Sequence, residues 1–233
     1  MATQNSNNNQ VELLTESTIV PVSRRRFLGY VGLSTAALAV GSMASCKKSD
    51  SNNGLDLGSG DIGILNYAYA LEQLEAAFYT QVIATTYSGI SATEQAYLTD
   101  IRDHEVAHRE FFKSALGNNA IPGLEVDFSS INFSSRDSVL GTAKAFEDLG
   151  VTAYNGAGKL IVSPDYLTLA GKIVSVEARH AALIRDLIAA GSFADNTAID
   201  ANGLDGARNP ADVLAIAGTY IKTKINASNL PTS

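Results

Sequence analysis

VSVEARHAALI, residues 174–184, sets one carboxylate and one imidazole inside an apolar helical stretch. At ~100° per residue, Glu177 and His180 fall close together on the helix wheel. Ile173, Val176, Leu183, Ile184 and Leu187 share that side, while Ser175, Arg179 and Asp186 lie opposite. Two ionisable groups therefore stand in the middle of the stripe that should face a core. An unpaired charge there costs several kcal/mol or is driven neutral. The rest of the chain has to supply the compensation.

The same spacing occurs earlier, in DHEVAHREFF, residues 103–112. Glu105 and His108 fall with Leu98, Ile101, Phe112, Ala115 and Leu116, opposite Arg102, Asp103, Arg109, Glu110 and Lys113. A second pattern is also duplicated. EQLEAAFY, residues 72–79, and EDLGVTAY, residues 147–154, both read E-x-L-x4-Y. The i to i+7 spacing puts Tyr79 about two turns from Glu72, and Tyr154 about two turns from Glu147, on nearly the same face. The chain thus holds two copies of one unit: a helix with an inward Glu, then a helix with an inward Glu-x-x-His.

The connections between these segments suggest a topology. Helices are expected over residues 62–84, 92–116, 137–162 and 164–190, with a short fifth from 210 to about 221. Ser91-Ala-Thr-Glu94 reads as a capping box, and Ser163-Pro164 as an N-cap followed by a favoured first helical residue. Gly117 and Gly191 suit helix stops. Short links, TTYSGIS and the single Ser163, make each pair an antiparallel hairpin. About twenty residues, GNNAIPGLEVDFSSINFSSR, separate the pairs, enough to run the length of a bundle. Strand signals are few, with a short extended piece expected in SSINFSS. The expected fold class is all-α: a four-helix bundle of two antiparallel hairpins joined by a long crossover, with a short C-terminal fifth helix.

Four carboxylates and two imidazoles would meet inside such a bundle. Carboxylates alone would repel strongly at low dielectric. Two divalent metal ions resolve this, with two Glu bridging, two terminal, and one His on each ion. Oxygen and imidazole donors suit Fe, Mn or Zn better than Mg or Ca. The alternative is a metal-free bundle with buried polar contacts. Glu75 also leans to the apolar side and competes with Glu72. The internal alignment favours Glu72, because Glu75 lines up with Gly150, and leaves Glu75 beside the site or at its rim. His104 is either a neighbour of the ligands or a partly exposed surface histidine. Tyr79 and Tyr154 are either core residues with satisfied hydroxyls or groups acting on the site. Asp148 and Asp186 fall on the polar side and are expected to be solvated. Gly156 and Gly158 follow no strand, so they form no phosphate loop. Close helix packing explains them better.

The stretches ILNYAYALEQLEAAFY, DHEVAHREFF, AFEDLGVTAYNGAG and VSVEARHAALIRDL resemble the ferritin-like superfamily, in particular bacterial ferritin-like proteins related to plant desiccation-related proteins. The resemblance covers most of residues 61–193. It implies metal ligands at Glu72, Glu105, His108, Glu147, Glu177 and His180, with Tyr79 and Tyr154 near the metals. It implies two Fe or Mn ions as cofactor and O2 or peroxide as partner, in ferroxidase-like or manganese-catalase-like chemistry. A non-catalytic metal-binding or desiccation-related envelope protein is the alternative.

The 233 residues carry a net charge of −7 and one Cys. No basic block follows the first segment, which argues against nucleic acid. One Cys excludes an internal disulfide. Ser23, Arg24, Arg25, Phe27 and Leu28 resemble a twin-arginine export motif, followed by a mildly apolar run to Ala44. Met43-Ala44-Ser45-Cys46 resembles a relaxed lipoprotein box with Cys46 as the lipidated residue. Ser42-Met43-Ala44 alternatively passes as an ordinary cleavage site. The expected organisation is a signal peptide at 1–45, a flexible tether at 46–60, the bundle at 61–193 and an extension at 194–233. Location in the periplasm, or at the envelope through a lipid on Cys46, follows as an expectation. The oligomeric state is left open.

Overall fold

The computed structural model describes residues 53–232. The expected signal segment, Cys46 and the expected tether up to residue 52 lie outside the described residues. Four long helices dominate: α1 (Gly60–Ala84), α2 (Ala92–Leu116), α3 (Arg136–Gly158) and α4 (Pro164–Ile188). A short α5 (Pro210–Ala217) follows, and β1 (Leu55–Asp56) pairs in parallel with β2 (Ile225–Asn226). The main packing partners are α1 with α2 and α3 with α4, and the two hairpins meet through α1 and α3. This is the all-α bundle expected from the duplicated pattern.

Local chemistry sets the helix starts. Ser91 Oγ accepts from the Glu94 amide at 3.0 Å, and Ser163 Oγ accepts from the Tyr166 amide at 3.4 Å ahead of Pro164. Only half of the expected capping box forms. The Glu94 carboxylate turns away and accepts instead from the Tyr87 hydroxyl and from Arg136 Nε at 2.9 Å. Arg136 also donates to the Leu187 carbonyl at 2.8 Å, so one guanidinium ties the starts of α2 and α3 to the end of α4. At the opposite end, the Asp61 carboxylate accepts from the amides of Val162 and Ser163, both at 2.8 Å.

That second clasp explains why α3 stops at Gly158 rather than running to 162. Leu160 and Ile161 donate to Ala157 and Gly158 in tight turns, and Asp61 then captures the next two amides. Helix α4 likewise ends at Ile188, two residues short of expectation. Helix α5 ends at Ala217 rather than near 221, because the chain leaves it to pair with the crossover. Asp127 donates to Tyr220, Lys222 donates to Glu125, both at 2.8 Å, and Ile221 bridges Val126. The extended pairing thus lies at Val126, not in SSINFSS, whose residues form turns. Part of the segment expected as a tether, 46–60, is structured. Leu55 and Asp56 form β1, and Leu57 is fully buried.

The crossover is fixed by two buried polar side chains of α1. Asn66 donates to the Leu57 and Asn119 carbonyls at 3.0 and 2.9 Å and accepts from the Ile121 amide at 3.0 Å. Gln73, two turns on, accepts from the Leu124 amide at 2.8 Å and donates to the Pro122 carbonyl at 3.4 Å. Phe128 and Phe133 then pack on Phe78, with ring centroids 6.0 Å away in each case. The loop therefore climbs along α1, and every residue from 63 to 76 is buried. A helix covered all round shows no amphipathic stripe.

Gly156 has a different reason from the helix packing expected of it. A Cβ there would stand 1.8 Å from the carbonyl oxygen of Arg208, in the C-terminal extension. Arg208 also donates its amide to the Thr152 carbonyl at 2.9 Å. Gly156→Ala is expected to push the extension off α3 and destabilise the protein by about 1–3 kcal/mol, the usual range for overpacking. Urea unfolding together with limited proteolysis across residues 193–210 measures both effects. Unchanged stability and cleavage would contradict this account of Gly156.

Candidate metal centre

Glu72 on α1, Glu105 on α2, Glu147 on α3 and Glu177 on α4 are each fully buried, at 0% exposure. The two histidines stand among them, one turn after the Glu of their own helices. His108 Nδ1 lies 2.9 Å from Glu177 Oε1, 3.4 Å from Glu72 Oε2 and 3.7 Å from Glu105 Oε2. His180 Nδ1 lies 2.8 Å from Glu105 Oε1, 3.5 Å from Glu147 Oε2 and 3.9 Å from Glu177 Oε2. The six residues that the sequence pattern singles out therefore come together in one volume.

They divide into two sets. Glu72, Glu105, His108 and Glu177 form one; Glu105, Glu147, Glu177 and His180 form the other. Within each set the ligand atoms lie within 4.8 Å of one another. Glu105 and Glu177 belong to both sets, whereas Glu72 and Glu147 belong to one each.

The tyrosines complete the exchange between hairpins. Tyr79 of α1 donates to Glu147 Oε1 of α3 at 2.6 Å, and Tyr154 of α3 donates to Glu72 Oε1 of α1. Glu72 and Glu147 thus each spend one oxygen on a tyrosine from the other hairpin. The second oxygen of each stays in the cluster. Glu72 Oε2, Glu147 Oε2, both oxygens of Glu105 and of Glu177, and Nδ1 of both histidines are buried without a hydrogen-bond partner. Close distance without hydrogen-bond alignment is what results when several donor atoms aim at a common point between them. Leaving so many buried polar atoms unmatched would be costly for a metal-free fold.

Electrostatics agree with the geometry. Burial pushes Glu72 up to about 7, and it raises Glu147 and drives Glu177 well above the usual carboxylate range, with like charges adding to each. Burial raises Glu105 too, but His108 and His180 outweigh it and hold the carboxylate near 2. Burial alone would lower the imidazoles. The facing carboxylates win, pushing His108 up to about 12 and His180 up to about 10. Without metal, retained protons offset much of the carboxylate charge. Four carboxylates and two neutral imidazoles would instead balance two divalent ions, and their oxygen and nitrogen donors suit Fe, Mn or Zn.

Glu75 was expected beside the site or at its rim. It is buried, at 4% exposure, and held well above the usual range by burial and then by Glu105, Glu177 and Glu147. A Cβ on Gly150 would stand 3.1 Å from Glu75 Oε1 and 3.6 Å from Glu177 Oε2. The missing side chain at Gly150 makes room for the extra one at Glu75. His104 is exposed, as one of its two readings had it, yet it also reaches the cluster: its Nδ1 lies 2.9 Å from His180 Nε2. Asp148 is not simply solvated. It takes a two-pronged bond at 2.7 Å per arm from Arg185, a buried cation that the helical pattern gave no reason to single out. Asp186 is exposed and accepts from the Gly191 amide at 2.7 Å.

These shifts give the metal-free protein a defined pH response. Glu72, Glu147 and Glu177 have folded values above their ordinary 4.5, so their contribution is full below that pH. It is lost as pH rises through the folded values, about 7 for Glu72. His108 and His180 contribute below their ordinary 6.5 and lose it as pH rises through about 12 and 10. Of these six groups only Glu105 runs the other way, losing its contribution as pH falls from 4.5 through about 2. Metal-free protein is therefore expected to melt at a higher temperature near pH ~5 than near pH ~8. Bound metal displaces these protons, so added Fe(II) or Mn(II) should stabilise more at the higher pH. Thermal unfolding with and without metal at both pH values checks this, and parallel curves would contradict it.

Comparison with protein-family models matches residues 60–190 to the ferritin-like domain. Comparison with curated proteins returns no match. The matched segment spans α1 through α4 and contains all six clustered Glu and His residues. With the helix order, the crossover and this match in agreement over more than half of the sequence, the chain belongs to the ferritin-like domain family.

Proposed function

We propose that this protein is an exported ferritin-like protein that holds two Fe or Mn ions and reacts with O2 or peroxide. The observation that carries this reading is the pair of overlapping donor sets sharing Glu105 and Glu177. Glu72 and His108 would complete one ion's shell, and Glu147 and His180 the other's. Bound Fe or Mn would supply the electron transfer that the protein side chains cannot. The chain's own part is to hold the donors in place, exclude bulk water and keep the terminal carboxylates oriented through Tyr79 and Tyr154.

An apolar cavity of about 30 Å³ supports O2 over a larger or more polar substrate. Tyr154, Leu71, Ala68, Phe112, Ala157 and Ile173 are among its lining residues. Tyr154 connects it to the cluster through Glu72. A single water needs roughly 10–15 Å³ measured this way, so the space suits a diatomic molecule better than a larger one. The N-terminal Ser-Arg-Arg-x-Phe-Leu pattern supports twin-arginine export, a route that carries folded, already loaded proteins. Cys46 would then tether the mature chain to the envelope.

The test is elemental analysis of residues 47–233 folded with Fe or Mn, beside Glu177→Ala/His180→Ala. About two ions per chain are expected from the two donor sets, falling by at least half in the double variant. Loaded protein should then consume O2 or peroxide in excess of its metal content. Metal binding without turnover would leave the non-catalytic, stress-related reading. No metal in a folded wild-type chain would overturn both.

A further inference from the structure

The two donor sets are near copies, but their histidines have different surroundings. Both present Nδ1 to the cluster. His180 is 4% exposed, and its second nitrogen, Nε2, lies 2.9 Å from His104 Nδ1. The two rings lie 8° from parallel with centroids 5.2 Å apart, the geometry of an in-plane contact between the two nitrogens. His108 has no hydrogen-bond partner at its second nitrogen among the described residues. The internal repeat shows why. Glu105 aligns with Glu177, so the position before each pairs His104 with Val176. Valine has no polar group to offer the His108 ring.

We infer that His104 is a positioning residue that makes the two metal positions inequivalent by fixing the ring and tautomer of His180. The inference rests on the dinuclear reading above. A neutral imidazole carries one proton. If Nδ1 of His180 gives its lone pair to a metal, the proton must sit on Nε2, so Nε2 donates and His104 Nδ1 accepts. His104 then carries its own proton on Nε2, on the exposed side. Partners of this kind orient a ligating histidine and raise its basicity, and their loss typically costs 10–100-fold in metal affinity. The ion held by His180 and Glu147 has this support; the ion held by His108 and Glu72 lacks it.

The experiment is an anaerobic Fe(II) titration of the metal-free chain, with 57Fe Mössbauer spectra recorded at each step. Wild type, His104→Ala and His104→Asn are compared. Wild type is expected to bind two ions with resolved signals. His104→Ala should weaken one of them by roughly 10–100-fold and leave the other within about threefold. His104→Asn places an amide oxygen where Nδ1 stood, and it should restore the weakened ion. His104 is exposed, and thermal unfolding of the metal-free variants should confirm that the fold is retained. Two ions weakened equally, no ion weakened, or no rescue by asparagine would each overturn the inference while leaving the dinuclear site standing. No iron bound by wild type would overturn the dinuclear reading and this inference with it.

Discussion

Four carboxylates drawn from four helices into one buried volume are the constraint on which the rest of this structure depends. At low dielectric their mutual repulsion exceeds anything a single buried hydrogen bond returns. Only cations of matching number, or protons, make the arrangement tolerable. The chain is organised to deliver these groups accurately. Each Glu sits mid-helix, far from frayed ends, and each hairpin supplies one inward Glu followed by one Glu-x-x-His. The tyrosines cross between hairpins, so neither half partners its own inward Glu alone. The centre is therefore a product of the docked bundle and not of any one segment.

Docking is enforced at both ends by charge-assisted clasps. Arg136 joins Glu94 to the Leu187 carbonyl at one end, and Asp61 holds the 162–163 amides at the other. Between them, α1 acts as the axis. Its inner side meets α2 and α3, and its outer side is covered by the crossover through Asn66 and Gln73. Those two side chains satisfy loop backbone groups that would otherwise be buried unpaired. A long loop is thereby made part of the wall around the cluster, which helps to keep water from the donor atoms.

The stripe patterns of α2 and α4 were legible because those helices bury one face only, and a charged residue inside such a stripe is conspicuous. The capping residues and the hairpin links were legible for local reasons. Much of α1 was not, because burial on all sides removes periodicity. Asn66 and Gln73 look like ordinary polar residues until the crossover is seen against them. The stops of α3 and α5 were also hidden. Both are imposed by distant partners, Asp61 for one and the strand-like pairing with 125–127 for the other. Asp148 fell on the polar face of its helix, and nothing local revealed that Arg185 from α4 would reach it.

Internal repetition was the most informative signal, and its breaks are as informative as its matches. At two positions the halves differ in a way that reaches the centre. Glu75 faces Gly150, adding a buried carboxylate on one side and removing a side chain on the other. His104 stands where the second half has Val176, adding a polar partner for one ligating imidazole only. A duplicated bundle with identical halves would bind two identical ions. Substitutions at neighbours of the ligands, with the ligands themselves kept, are the least disruptive way to separate the two positions. They keep the six-residue core itself unchanged and alter only the groups around each donor set.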